Sequence, residues 1–451
     1  MTKYLSLLFV TLAVTLATAQ QADIKLSIIR PDRPTIALPD IRGTGDTQPL
    51  MNGINSKLFT EIEQAAVLKI APKGLYPLTV PQQPTDFKVP TVGPNRQPLS
   101  QGPWLTDWSG APVNANYLAY GYATVQGGRL ALFGWLYDVT QKDIQNAQVF
   151  GKVYFGTLDE AGAKKVALEF AADILARFGG KSLAGSRVFF VSSRSGAKEV
   201  WSMDYDGANQ KQLTFYSSTC ISPAISKDNS KIAFTRIGAG NPSIMIHTTE
   251  SGRKMNFSNP QATMNATPDF TPDGNQVVFS STLGGSPANL YVSGADGSGI
   301  RRLTSVKSIE VEPKVNPKSG NEIVFISGRS GRAQLYRMNL DGTDIERLTD
   351  GRGEASNPSW HPDGQFVAFA WTAGLEPGNW SIFVMDVASK KYVQLTSGTR
   401  SENPAWGPDG RHLVFSRTVG RQVQLYSMLA DGSQLKQLTF TGSNEKAAWT
   451  H

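Results

Sequence analysis

Residues 322–349 read EIVFISGRSGRAQLYRMNLDGTDIERLT. Ile323, Val324 and Phe325 form an apolar run, and Leu335, Tyr336 and Met338 form a second. A small-residue loop around Gly328 and Gly331 separates them, and Asp341-Gly342 punctuates the approach to a short Arg347-Leu348-Thr349 stretch. Each run has strand length and each gap has turn chemistry, so the unit is a β meander. Working outward, the phenylalanine that ends the first run recurs as Phe190, Phe234, Phe279, Phe325, Phe369 and Phe415, at gaps of 44, 45, 46, 44 and 46 residues. The second run keeps step at Val200-Trp201, Ile244-Met245, Leu290-Tyr291, Leu335-Tyr336, Ile382-Phe383 and Leu425-Tyr426. Pro272-Asp273-Gly274, Pro362-Asp363-Gly364 and Pro408-Asp409-Gly410 precede three of the runs. A period near 45 residues with four short strands per copy is that of a β-propeller blade. Six copies predict six blades over residues 181–451.

The chain has 451 residues, so the repeats leave room for one smaller domain ahead of them. Only 18% of residues are charged, and the net charge of +7 is spread without a basic run, unlike a nucleic-acid binder. Residues 1–19 read as a secretory signal: Lys3, an apolar core from Leu5 to Leu16, then Ala17-Thr18-Ala19 as a cleavage site. The mature chain is expected to be soluble outside the cytosol, which is the periplasm if the source is a Gram-negative bacterium. The one cysteine, Cys220, excludes an internal disulfide and reads as a small buried residue.

Residues 20–34 are expected to form an N-terminal arm. Ile24, Leu26 and Ile28 alternate with polar residues up to Arg30, which suits an arm that adds a strand to a partner, or equally a first edge strand. Residues 35–180 are expected to fold as a small α/β domain. Strands are predicted at 35–39, 117–125, 129–138 and 149–157, with Gly127-Gly128 joining two of them as a hairpin. Helices are predicted at 47–66 and 159–178 from the stripes Leu50, Ile54, Leu58, Ile62 and Val166, Phe170, Ile174, Phe178. Residues 71–103, rich in Pro and Gln, should be irregular. The fold class is two-domain, a small α/β domain followed by a six-bladed β-propeller. The first blade lacks an inner strand, and residues 447–450 should supply it.

Motifs of catalysis are missing. There is no Gly-x-Ser-x-Gly elbow and no phosphate loop, and His247, His361, His412 and His451 stand alone. His361 reads as a turn-flanking surface residue. The Asp-Gly pairs at 206, 296, 341 and 431 are better hairpin turns than calcium ligands. A more informative set comes just before the first strand of each unit: Ser222, Thr267, Glu312, Asn357, Asn403 and Lys446, all but the last followed by Pro. Pro marks a strand's first residue, so these six should ring one mouth of the channel. Asn265, Glu310, Glu354, Arg400, Glu402 and Glu445 are expected to widen the ring. Any one of them alone reads as solvated rim; the ring together reads as a binding surface.

Several of these segments resemble the TolB family of the Tol–Pal cell-envelope system. They are residues 33–39 (RPTIALP), 123–138 (ATVQGGRLALFGWLYD) and 187–214 (RVFFVSSRSGAKEVWSMDYDGANQKQLT), with the Pro-Asp-Gly repeats. Residues 71–116 are longer and richer in proline than the family pattern. The resemblance implies a non-enzymatic periplasmic adaptor that acts as a monomer. Its propeller mouth would dock the lipoprotein Pal, through Ser222, Asn265, Thr267, Glu310, Glu312, Glu354, Asn357, Arg400, Glu402 and Asn403. Its arm would engage TolA through Ile24, Leu26, Ile28 and Arg30. Glu312 falls at a Glu-Pro pair of the family's third repeat, which makes it the best single candidate. No cofactor is expected, though the resemblance leaves room for one divalent cation in the channel, with no residue assigned to it. The rival readings are an extracytoplasmic hydrolase or lyase using Glu310, Glu312 and Glu354 as acid and base, and a surface carbohydrate or peptide binder.

Overall fold

The Leu-Thr pair that closes the repeat shows why each blade holds together. In the computed structural model, which describes residues 32–88 and 102–450, the Thr hydroxyl accepts the backbone N–H of the third strand. The pairs are Thr214–Val200 at 2.8 Å, Thr304–Leu290 at 3.0 Å, Thr349–Leu335 at 3.1 Å, Thr396–Ile382 at 2.9 Å and Thr439–Leu425 at 2.9 Å. The second blade has no such Thr, and the Asn259 side chain accepts from Ile244 instead, at 2.8 Å. The hydroxyl satisfies a strand donor where the short outer strand ends.

Residues fall into two compact units, Arg30–Ala184 and a second built on Gly185–His451. The second unit is a six-bladed propeller of four-stranded antiparallel sheets. The strand Glu322–Ser330 holds Phe325 fully buried, and the other five register phenylalanines are likewise 0% exposed. The Asp-Gly turns need glycine twice over. Gly342 has φ +96°, and a Cβ there would lie 2.6 Å from the Leu303 carbonyl of the neighbouring blade. Asp341 accepts the Thr343 N–H at 2.9 Å, the hairpin role expected of it.

The first blade closes as expected. Its strand order is Asn444–Trp449, Arg187–Ser192, Glu199–Asp204, Lys211–Gln212, so the last strand of the sequence pairs with the first of the repeats. The clasp adds Arg187 N–H to Thr450 Oγ1 at 2.8 Å, Thr450 N–H to the Arg187 carbonyl at 2.9 Å, and Trp449 Nε1 to Ser186 Oγ at 3.0 Å.

The first unit is a mixed sheet in the order Lys69–Ile70, Thr35–Ala37, Tyr117–Gln126, Arg129–Asp138, Gln148–Gly156. The strand Lys69–Ile70 is too short to show in the apolar pattern. Helices Met51–Ala65 and Glu160–Arg177 cover one face, burying Ile54, Leu58, Ile62, Val166, Phe170 and Ile174. The first helix starts later than expected, after a 3-10 turn at Gly45–Leu50 that contains Pro49. Asp159 caps the second helix by accepting the Gly162 N–H at 2.8 Å. Gly179, at φ +69°, ends it, with Gly180 N–H bonded to the Leu175 carbonyl, a Schellman arrangement.

The described parts of the proline-rich stretch, residues 71–88 and 102–116, form a layer rather than a loose insertion. Their backbone has only short turns, as expected, but Phe87, Leu105, Trp108 and Val113 pack on the sheet's other face against Leu118, Tyr120 and Tyr137. Phe87 stacks on Tyr137 with centroids 5.5 Å apart. Residues 1–19, and Ile24, Leu26, Ile28 and Arg30 of the expected arm, lie outside the described residues.

Candidate docking site at the propeller mouth

Each blade's innermost strand carries a β-bulge, and the X-Pro pair sits on it. Register breaks fall between Ile221 and Ala224, Ala266 and Asp269, Val311 and Lys314, Ser356 and Ser359, Glu402 and Ala405, and Glu445 and Ala448. The prolines were expected at the strands' first residues. They lie instead inside strands such as Asn265–Phe270, because a bulge leaves one residue unpaired and asks no ladder N–H of it. At every bulge the residue before the proline is left-handed: Ser222 φ +55°, Thr267 +49°, Glu312 +55°, Asn357 +54°, Asn403 +53° and Lys446 +50°. Non-glycine residues rarely adopt this conformation, and a β-branched one such as Thr267 least of all.

The bulges aim these six side chains into one cavity of about 460 Å³ at the channel mouth. Neighbouring blades are laced across it. Glu312 N–H donates to Thr267 Oγ1 at 3.2 Å, and Asn357 donates its N–H and Nδ2 to the Glu312 carboxylate at 2.6 and 3.0 Å. Lys446 Nζ reaches Asn403 Oδ1 at 3.4 Å. Below, Lys314 pairs with Asp269 at 3.1 Å. The channel then widens to about 710 Å³, where Trp360, Trp406 and Trp449 line it. Those tryptophans stand three residues after Asn357, Asn403 and Lys446, a spacing visible in the sequence that the ring argument left unused.

Five of the ten residues expected to dock a partner line this cavity: Ser222, Thr267, Glu312, Asn357 and Asn403. Asn265 and Glu310 do not belong to the exposed ring. They stand ahead of the bulge in regular ladder positions, opposite Ser281 and Ser327, and point into the blade. Ser281 Oγ donates to Asn265 at 2.7 Å, and Ser327 Oγ donates to Glu310 at 3.0 Å. Glu310 is 0% exposed and ion-paired with Arg329, whose Nε lies at 3.1 Å. Glu354 is exposed away from the cavity, and Arg400 and Glu402 pair with each other at 3.0 Å outside it. The three acids of the hydrolase reading are therefore dispersed: one buried, one braced by Asn357, one outside.

His361 is also corrected: it is buried, because its ring fills the gap between two Pro-Asp-Gly turns. Its Nδ1 lies 2.7 Å from Asp363, its Nε2 is 2.7 Å from the Gly410 carbonyl, and Trp406 meets its ring edge to face. Cys220 is buried, and desolvation together with the nearby Glu199 carboxylate pushes its thiol up to about 12. The divalent cation finds no ready donor set: among the described residues no three His, Cys, Asp or Glu side chains are placed to share an ion.

A family described as the TolB beta propeller domain matches residues 178–451. The chain belongs to the TolB propeller family. The Protein TolB homolog of Chlorobium chlorochromatii is 34% identical over 142 residues, 31% of each chain. The Tol-Pal system protein TolB of Roseobacter denitrificans is 32% identical over 211 residues, 46% of this chain and 44% of the relative. The chain thus spans between about a third and a half of the length of these TolB relatives. The crystal structure of TolB from Acinetobacter baumannii superposes with a TM-score of 0.73 over 93% of this chain and 97% of that one, at 19% identity, a likeness of fold.

Proposed function

We propose that this TolB-family chain is a non-enzymatic adaptor of the Tol–Pal system in the periplasm, serving outer-membrane integrity and envelope constriction at division. Its propeller mouth docks a Pal-type peptidoglycan-associated lipoprotein, and residues 20–34 engage a TolA-type inner-membrane protein. The observation that carries the reading is the convergence of six bulge residues, one from each blade, on a single concave mouth. Concave sites with a few oriented polar groups are where ligands bind. Family membership supports the system, and several relatives are Tol-Pal system proteins by name. No described helix is long and apolar enough to cross a membrane.

The test is calorimetric titration of the full chain with the soluble domain of the Pal-type lipoprotein. Ser222→Arg, which crowds the mouth, should weaken binding at least about tenfold while leaving the melting temperature close to wild type. Asp344→Lys, on a turn at the opposite end of the blades, should change nothing. Equal effects from both would remove the reason to prefer the mouth. Removing residues 22–33 should abolish TolA binding and spare the lipoprotein.

A further inference from the structure

Four ionisable side chains line the mouth and the channel beneath it: Asp269, Glu312, Lys314 and Lys446. Three have their charge answered from within. Asp269 and Lys314 pair with each other, and the second Asp269 oxygen takes the Val315 N–H at 2.9 Å. Glu312 is held by the backbone and side-chain amides of Asn357. Lys446 is different. Its ammonium has three donors and one long contact, the neutral Asn403 oxygen at 3.4 Å. The adjacent acid, Glu445, is already committed to Lys198 at 2.5 Å.

The walls around that ammonium alternate polar bulge side chains with apolar rings. Proline rings follow the bulge residue in five blades and Ala447 in the sixth, so five of the six positions offer no backbone N–H. Two bare aromatic side chains stand on loops at the same end of the blades. Phe440 is 70% exposed and Phe215 is 75% exposed. Each stands four residues before an inner strand, Phe440 before Asn444–Trp449 and Phe215 before Thr219–Ile225, at the end of the blades where the ring lies.

We infer that Lys446 is the cation of an anion-reading subsite, and that the segment docked in the mouth presents a peptide carboxylate between apolar side chains. The inference rests on the docking reading of the same mouth and names its ligand chemistry. A carboxylate there would replace lost water around a half-buried ammonium, while the proline collar and the two phenylalanines would take its apolar neighbours. Glu312, three blades away and so across the ring, repels a second acid and orients the segment.

The probe is acetyl-Gly-Phe-Glu-Leu-Gly-amide beside the same peptide with Gln for Glu, titrated into the full chain. Wild type should prefer the acid by about tenfold or more, Lys446→Arg should keep the preference, and Lys446→Gln should erase it without a change in melting temperature. Equal binding of the two peptides, binding of neither, or a preference that survives Lys446→Gln overturns the inference. The two readings separate in the lipoprotein titration. Binding blocked by Ser222→Arg yet indifferent to Lys446→Gln keeps the docking reading and sinks this one. A Lys446-dependent peptide preference with no lipoprotein binding does the reverse.

Discussion

Thr267 shows what the ring costs and what it returns. A left-handed β-branched residue costs roughly 1–2 kcal/mol, yet its Oγ1 accepts from Glu312 and bonds Ser280 Oγ at 2.7 Å. Two such bonds contribute about 0.5–1.5 kcal/mol each and offset the strain, and a glycine there would add unfolded-state entropy. Thr267→Gly should therefore destabilise by about 1 kcal/mol in denaturant unfolding, despite relieving the backbone. A more stable glycine variant would show that the lacing is idle. Cys220, with its thiol raised to about 12, should ignore a disulfide reagent at pH 8 in the native protein and react once unfolded. Burial would raise the Asp409 carboxyl. The His412 imidazole at 2.7 Å and the N–H groups of Arg411 and His412 outweigh it and hold the carboxyl below the usual range. A depressed carboxyl stabilises above its unfolded value, about 3.9, and that contribution is lost as pH falls toward the folded value. Asp409→Asn should thus lower the melting temperature at pH 7 and flatten its fall below pH 4. A parallel pH profile would exclude the linkage.

At the scale of elements, what the sequence disclosed was what local chemistry decides. Phe325 and its five counterparts mark blade register because only an inward strand position buries that ring in every copy. The unpaired first blade foretold its partner strand because an open edge must be covered. Deleting residues 446–451 removes Trp449, 5% exposed, with four of that strand's six residues, and should lower the melting temperature by about 10 °C with aggregation. Unchanged thermal stability would rule the clasp out as a support. The bulge was invisible because it depends on pairing between strands, and it decided which acids face the channel. Glu310 and Glu312 are two residues apart, yet one is buried against Arg329 and the other braces the mouth. The layer formed by residues 71–88 and 102–116 was illegible for another reason. Phe87 and Trp108 are anchored by a sheet face distant in sequence, without any periodicity of their own. Gly151 records similar crowding: a Cβ there would fall 2.4 Å from the Trp135 ring. Gly151→Val should cost about 1–3 kcal/mol through overpacking.

Across the whole molecule, the propeller's stability is shared around a ring, and so is its weak point. Strands Arg187–Ser192 and Asn444–Trp449 are neighbours in one four-stranded sheet, with Val188 opposite Trp449. A ribosome delivers them in order, at ~5–20 residues per second, so the first strand waits roughly 13–50 seconds for its mate. During that time the nascent chain holds a bare β edge of Val188, Phe189, Phe190 and Val191, a template for mispairing with another copy. In the propeller unit alone, moving the break in the chain to the loop between the third and fourth blades, with residues 450 and 187 joined, would make the first sheet local. Such a permutant should refold with less aggregation and the same native spectrum. The natural order instead makes closure of the ring wait on the strand farthest in sequence from its partner: a copy without residues 444–449 carries its own exposed edge.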